Sequence, residues 1–402
     1  MSWQTDLKFT SDEKHFIQEH AADDLNRLLL AASRYPGMDV SFLVDQIAVR
    51  RQLRDKLPAW AENEELVFPA RIAAEQCSSE QTAVYKQRLV DTDWTLCDLT
   101  GGLGVDSYYL SRKVRALTYV ERYAGYCEAA RHNFEFLGAD NVTVVNADAT
   151  EYVREMPSVD AVYLDPARRG ESNKRLFALH DCEPDLPALL PSILLKAHWV
   201  IAKLSPMADL QQTFSLLPGT TAVHVLSVRN ECKELLFVIG RETRVVSPAI
   251  HCVNFLSDGT ESTFTFTWEE ERTAETRMAT SVGAYLYEPH AALLKAGAFK
   301  LLAVRLGVEK LQVSSHLYTS QEWISDFPGR SFRVEAVYPF SGKLCKTLAR
   351  TIPQANITVR NFPLSVAELR RRTKIAEGGS VYLFATTLAD GSKVVIACSK
   401  LK

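Results

Sequence analysis

Apolar positions along the chain follow three regimes. From residue 7 to about 90 they recur at helical intervals, Leu25 with Leu28 and Leu29, then Leu43 with Val44 and Ile47, and Pro36-Gly37 separates the two groups. From about 91 to 240 they form short runs that predict strands: Leu96 to Leu99, Val114 to Val120, Val142 to Val145, Ala161 to Leu164, Trp199 to Lys203, Ala222 to Val228 and Leu235 to Ile239. Between the first two, Val105 to Lys113 reads as a helix. Ser78-Ser79-Glu80-Gln81 reads as a helix start with Ser78 as N-cap, placing Thr82, Tyr85 and Lys86 on a helix that leads into the first strand, where they line a ligand pocket or form a solvated helix face.

Beyond residue 241 β-formers dominate, and Thr263 to Trp268 alternates as a half-buried strand should. Glu269-Glu270-Glu271 reads as an exposed turn. Tyr287 to His290 opens a helix over Ala291 to Ala296, followed by Phe299 to Leu306 and a strand-like Leu311 to Ser314. Phe327 to Arg330 turns into Ser331 to Val337. A helix (Lys343 to Arg350), a strand (Asn356 to Val359), a basic helix (Ser365 to Lys374) and a hairpin around Asp390-Gly391 complete the pattern.

A length of 402 residues exceeds one typical core. We expect a helical domain over 1–90, a strand-and-helix core over 91–240, a small α+β module over 241–326 and a basic domain over 327–402. The net charge of −3 conceals an asymmetry: Glu322 to Lys402 holds 13 Lys and Arg against 6 Asp and Glu, +7, leaving −10 for the remainder. Eight scattered cysteines show no metal-chelating spacing, and reduced thiols of a cytoplasmic protein are expected. Met1 to Asp6 shows no basic stretch leading into an apolar one, and no apolar run approaches the ~20 residues of a membrane span. No membrane or metal partner is expected.

Candidate chemistry concentrates where the strands end. Asp98-Leu99-Thr100-Gly101-Gly102-Leu103-Gly104 closes the first strand with an acid and a glycine-rich turn, where backbone can take positive φ and approach a ligand, ahead of a helix N-terminus. A nicotinamide fingerprint fits poorly, because the frame from Gly102 through Gly104 ends on Ser107. The second strand instead ends at Glu121, twenty residues after Gly101, placed to accept both ribose hydroxyls. The third leads to Asp148 and Ala149, on the adenine side, and the fourth delivers Asp165-Pro166 to the same edge. Only six residues, Arg229 to Glu234, link the last two strands, so they pair antiparallel; a parallel crossover needs a dozen or more.

These residues, from about Trp94 to Gly240, resemble the class I S-adenosylmethionine-dependent methyltransferases. The resemblance implies a Rossmann-like α/β sheet with an antiparallel last strand, and a nucleoside cofactor, S-adenosylmethionine, held by Asp98, Thr100, Gly101, Gly102, Gly104, Glu121, Asp148, Ala149, Asp165 and Pro166. The last module resembles the THUMP-like domain that follows this core in a bacterial group, through Tyr285 to Gly297, Phe327 to Arg330, Arg360 to Pro363 and Gly378-Gly379. A ferredoxin-like module is expected before it. An RNA substrate is implied, and Arg360, Arg370, Arg371, Arg372 and Lys374 cluster in a way that could neutralise phosphates.

The acceptor is harder to read. Enzymes that methylate exocyclic amines carry Asp/Asn-Pro-Pro and an aromatic residue, whereas Ala167 and Arg168 follow Asp165-Pro166 here. Uracil-5 chemistry needs a cysteine on the next strand, and Trp199 to Lys203 has none. Asp165, Arg168 and Lys203 are the candidate catalytic residues. Arg168-Arg169 reads as a phosphate clamp or as loop anchors, Lys203 as an orienting cation, a partner of Asp165 or a lysine that leaves the sheet into solvent, and His180 as a further proton acceptor. An RNA methyltransferase is the leading reading; a methyltransferase for protein or a small molecule, and a non-catalytic RNA-binding protein that keeps the fold, remain alternatives.

Overall fold

The computed structural model describes residues 8–168, 179–242 and 247–401. Its contacts divide the chain into two compact units, residues 1–221 with 236–245, and residues 222–235 with 246–402.

In the first unit β1 (Thr95–Asp98), β2 (Ala116–Glu121), β3 (Val142–Asn146) and β4 (Val159–Leu164) are followed by a two-residue pair, β5 (Ala167–Arg168) with β6 (Cys182–Glu183), and by β7 (Ala197–Leu204). The long strands lie parallel in the order β3-β2-β1-β4-β7. Parallel strands need crossovers, which helices Val105–Ser111, Ala124–Phe136, Ala149–Glu155 and Leu186–Lys196 supply. Leu96, Tyr119, Phe134, Tyr163 and Ile201 form the core beneath them. The carboxyl ends of all five strands therefore share one edge.

Among the described residues six α-helices precede β1, from Ser11–Glu19 to Glu80–Lys86. They are not independent of the sheet: Leu53, Trp60 and Phe68 share one buried cluster with Leu103, Val105 and Tyr109 of the glycine turn and its helix. Each such side chain contributes roughly 1.5–3 kcal/mol by burial. Ser79, not Ser78, caps Glu80–Lys86, because the Ser78 hydroxyl is directed instead at Asp106.

The two units share a hairpin, β8 (Thr220–Val228) and β9 (Glu231–Gly240). Its link is shorter than the six residues expected. Arg229 and Asn230 both take left-handed backbone, φ 50° and 65°, so a two-residue turn of the twist that suits a hairpin suffices.

In the second unit β10 (Ala249–Phe255) runs parallel to β8, and β11 (Glu261–Thr267) pairs antiparallel with β10. Both strands thus join β8, the second through β10, and not the small module expected over 241–326. A second sheet joins β12 (Tyr285–Pro289), β13 (Glu309–Lys310), β14 (Tyr318–Ser320), β15 (Gly329–Pro339), β16 (Gln354–Arg360), β17 (Ala376–Thr387) and β18 (Lys393–Lys400) in the order β13-β14-β12-β15-β18-β17-β16. Its strands come from both expected stretches, 241–326 and 327–402. Glu269 to Glu271 is helical, inside Trp268–Thr273, because Thr267 and Glu270 form a capping box. Leu311 to Ser314 is not a strand; β13 ends at Lys310. Among the described residues no helix is long and apolar enough to cross a membrane.

Asn230 serves both the turn and the following helix, since its Oδ1 accepts from Ala291 N–H at 2.8 Å. Asn230→Ala should lower unfolding stability by about 1–2 kcal/mol through left-handed strain and the lost bond, as measured by urea denaturation.

Candidate active site

The glycine turn is shaped by close approach. A Cβ on Gly101 would come within 2.2 Å of the Tyr119 ring, whose hydroxyl donates to Gly102 O at 2.6 Å. Gly104, at φ +85°, begins helix Val105–Ser111. Gly102 differs: its φ is +54°, yet a Cβ there would meet nothing nearer than Thr100 O at 3.8 Å. The turn thus faces open space at Gly102, beside the Glu121 carboxylate. Gly102 N–H donates to Glu121 Oε2 at 3.0 Å and Tyr123 N–H to Oε1 at 2.9 Å, so each oxygen keeps capacity for another donor.

Asp98 stands behind the turn, 1% exposed, accepting from Thr100 N–H at 2.9 Å and Ser107 Oγ–H at 2.5 Å. Burial pushes its carboxyl up to about 7 against those two bonds. It braces the loop from inside. Asp148 is half-buried and caps helix Ala149–Glu155 by accepting from Thr150 N–H, while Ala149 is buried. Thr100 Oγ1 accepts from Asp165 N–H at 2.6 Å and so ties the turn to the end of β4; Pro166 behind it is buried.

A chain of charges lies along the same edge. Asp106, in the first turn after Gly104, accepts from Lys86 Nζ at 2.9 Å, Ser78 Oγ at 2.8 Å and Tyr163 OH at 2.7 Å. Lys203 Nζ stands 3.9 Å from Asp106 and hydrogen-bonds Asp165 Oδ2. Burial alone would raise the Asp106 carboxyl, but Lys86 and then Lys203 hold it well below the usual carboxylate range. Lys203 is therefore no solvated strand end; it pairs with Asp165 and links it to Asp106. His180 hydrogen-bonds Asp185, the cap of Leu186–Lys196. Arg122, just after Glu121, pairs with Glu183 of β6 at 3.0 Å. The Arg168 side chain and Arg169 lie outside the described residues.

In the second unit the five basic candidates divide. Arg360 donates from Nε and Nη2 to Oε1 of the buried Glu288, which Arg330 also holds. Arg370 donates to Ile375 O and Ala355 O, packing helix Val366–Thr373 to its neighbours. Only Arg371, Arg372 and Lys374 are exposed, with Arg372 bonded to Glu368. An unbroken patch of five is not what forms.

Ser78, Asp106 and Tyr163 had no place among the sequence-predicted site residues, and Lys86, expected to line the pocket or to lie on a solvated helix face, is instead a buried partner of Asp106. An acid in the first turn of the helix after the glycines was visible, but its partners come from three distant segments that spacing does not connect. Lys86 is wholly buried. Lys86→Met should cost roughly 3 kcal/mol of stability by urea denaturation, because it removes one partner of a buried ion pair.

Residues 285–328 match a ferredoxin-like domain model, and residues 329–400 match a THUMP domain-like model. The crystal structure of a methyltransferase candidate from Porphyromonas gingivalis W83 superposes with a TM-score of 0.88 at 40% identity, over 98% of this chain and 100% of that one. An uncharacterised RNA methyltransferase of Mycoplasma mobile is 32% identical over 90 residues, 22% of this chain and 25% of that protein. The chain thus spans about a quarter of that relative's length. Its full-length likeness to the Porphyromonas protein, joined to the sheet order and the two domain matches, means that the chain belongs to that family, the class I methyltransferases whose core is followed by ferredoxin-like and THUMP-like domains.

Proposed function

We propose that this chain transfers a methyl group from S-adenosylmethionine to RNA. The observation that carries the cofactor is the open space at Gly102 beside a Glu121 carboxylate already ordered by two backbone N–H groups. Glu121 would take the ribose hydroxyls, the backbone of Thr100 to Gly104 would approach the amino-acid part, and Asp148 with Ala149 would flank the adenine. Once bound, the cofactor supplies an electrophilic sulfonium methyl group for in-line displacement.

The chain's own part is positioning. Asp165 is fixed from both sides, its N–H by Thr100 and its Oδ2 by Lys203. Among the described residues its Oδ1 takes no hydrogen bond, so it is disposed to accept one from the methyl acceptor. No cysteine lies on β7, so a covalent nucleophile there plays no part. RNA is favoured by the exposed Arg371, Arg372 and Lys374 and by the THUMP-like match.

The purified chain should bind S-adenosylhomocysteine by calorimetry. Gly102→Arg should abolish that binding by filling the open space, and Glu121→Ala should weaken it about tenfold or more. Native affinity retained in both variants would remove the cofactor from this site. Label from methyl-labelled cofactor should enter RNA prepared from a strain lacking the gene, and appearance only in protein or metabolites would overturn the RNA reading. In the same RNA, Arg371→Glu with Arg372→Glu should weaken binding and lower its salt dependence by about two counterions.

A further inference from the structure

Lys310 is a lysine in an unusual place. It is 2% exposed, its ammonium donates to Val313 O at 3.0 Å, and it lies 5.5 Å over the Phe299 ring. No described carboxylate lies in ion-pair contact with it. The acid whose charge reaches it, Glu271, is already engaged in capping helix Lys300–Leu306 through Lys300 N–H and Leu301 N–H. A buried ammonium served only by a carbonyl and a ring face is costly.

His316 stands on the same ring. Its imidazole stacks on Phe299 with centroids 3.7 Å apart and an interplanar angle of 23°. Its backbone is left-handed, φ +52°, and its Nδ1 is buried without a hydrogen-bond partner. Burial first, then the charges of Lys310 and Arg360, press the imidazole toward its neutral form. Asn361, also left-handed at φ +48°, donates to Gln312 Oε1 at 2.9 Å and so holds the turn after Arg360 against the loop Gln312 to His316. The single carboxylate of Glu288 serves both Arg330 and Arg360. Positive charge and an unfilled ring nitrogen thus converge on one short loop whose backbone is held in a seldom-used conformation.

We propose that Lys310 and His316 form a phosphate-binding site in the second unit, occupied by a phosphodiester group of RNA. The phosphate would supply the counter-charge that Lys310 lacks and an acceptor for a protonated His316. The site itself stands on the buried cation; naming RNA as the source of the phosphate rests on the proposed RNA methylation.

Thermal unfolding of the full chain in inorganic phosphate, against chloride at matched ionic strength, tests the site. Phosphate should raise the native melting temperature more than chloride does, and Lys310→Met and His316→Gln should each lose that difference while remaining folded by circular dichroism. No phosphate-specific rise in the native chain, or an equal rise in both variants, overturns the site. His316→Gln should also weaken binding of a short single-stranded RNA about tenfold. Unchanged RNA affinity with a lost phosphate response would make this a site for free phosphate and overturn the RNA source. Phosphate and RNA binding that vanish in the variants, with no label entering RNA from the native chain, would count against the proposed methylation and leave the site standing.

Discussion

Asp106 is the group on which the first unit depends. Its carboxylate gathers a lysine and a serine from the helices before β1, a tyrosine from β4 and, at longer range, a lysine from β7. A charge buried in this way is tolerable only when its lone pairs are served, and here the partners come from three separate segments. The turn of Gly101 to Gly104, the end of β4 and the helix Glu80–Lys86 are therefore positioned together. Asp165 inherits that order through Lys203. Apolar packing of Trp60 and Phe68 against Leu103 and Val105 closes the same region from the other side.

The second unit applies the same rule to different ends. Glu288 is buried against two guanidinium groups, and that arrangement holds Arg330 on β15 and Arg360 at the end of β16 close to β12. Arg370 is similarly consumed by backbone carbonyls. A run of basic residues in the chain thus separates into cations that hold the sheet together and cations that face solvent. Lys310 belongs to neither group, because it is buried and no described carboxylate forms an ion pair with it.

Much of the geometry around the glycine turn was legible before the fold was known. Glycines, an acid at the end of β1, another twenty residues on and Asp165-Pro166 are local signals, each tied to its strand end by a few covalent bonds. The antiparallel hairpin was legible for a similar reason, since a short link leaves no other geometry. Its turn was misjudged because Arg229 and Asn230 reach left-handed backbone without a glycine to announce it. Residues 249–267 read correctly as strand-rich, but which sheet they would join depended on β8, a neighbour supplied only by the tertiary pairing.

What the sequence determined by itself was the periodicity of the elements, the glycine turn and the acids at the strand ends, because these depend on bonds and sterics within a few residues. What only the tertiary structure decided was the use of each charge. Whether Lys203 meets solvent or Asp165, whether Arg360 faces a phosphate or Glu288, and whether Ser78 caps a helix or serves Asp106 follow from burial and from partners tens of residues away. Electrostatic cost is set by the surroundings of a group, and those surroundings exist only once the chain has folded.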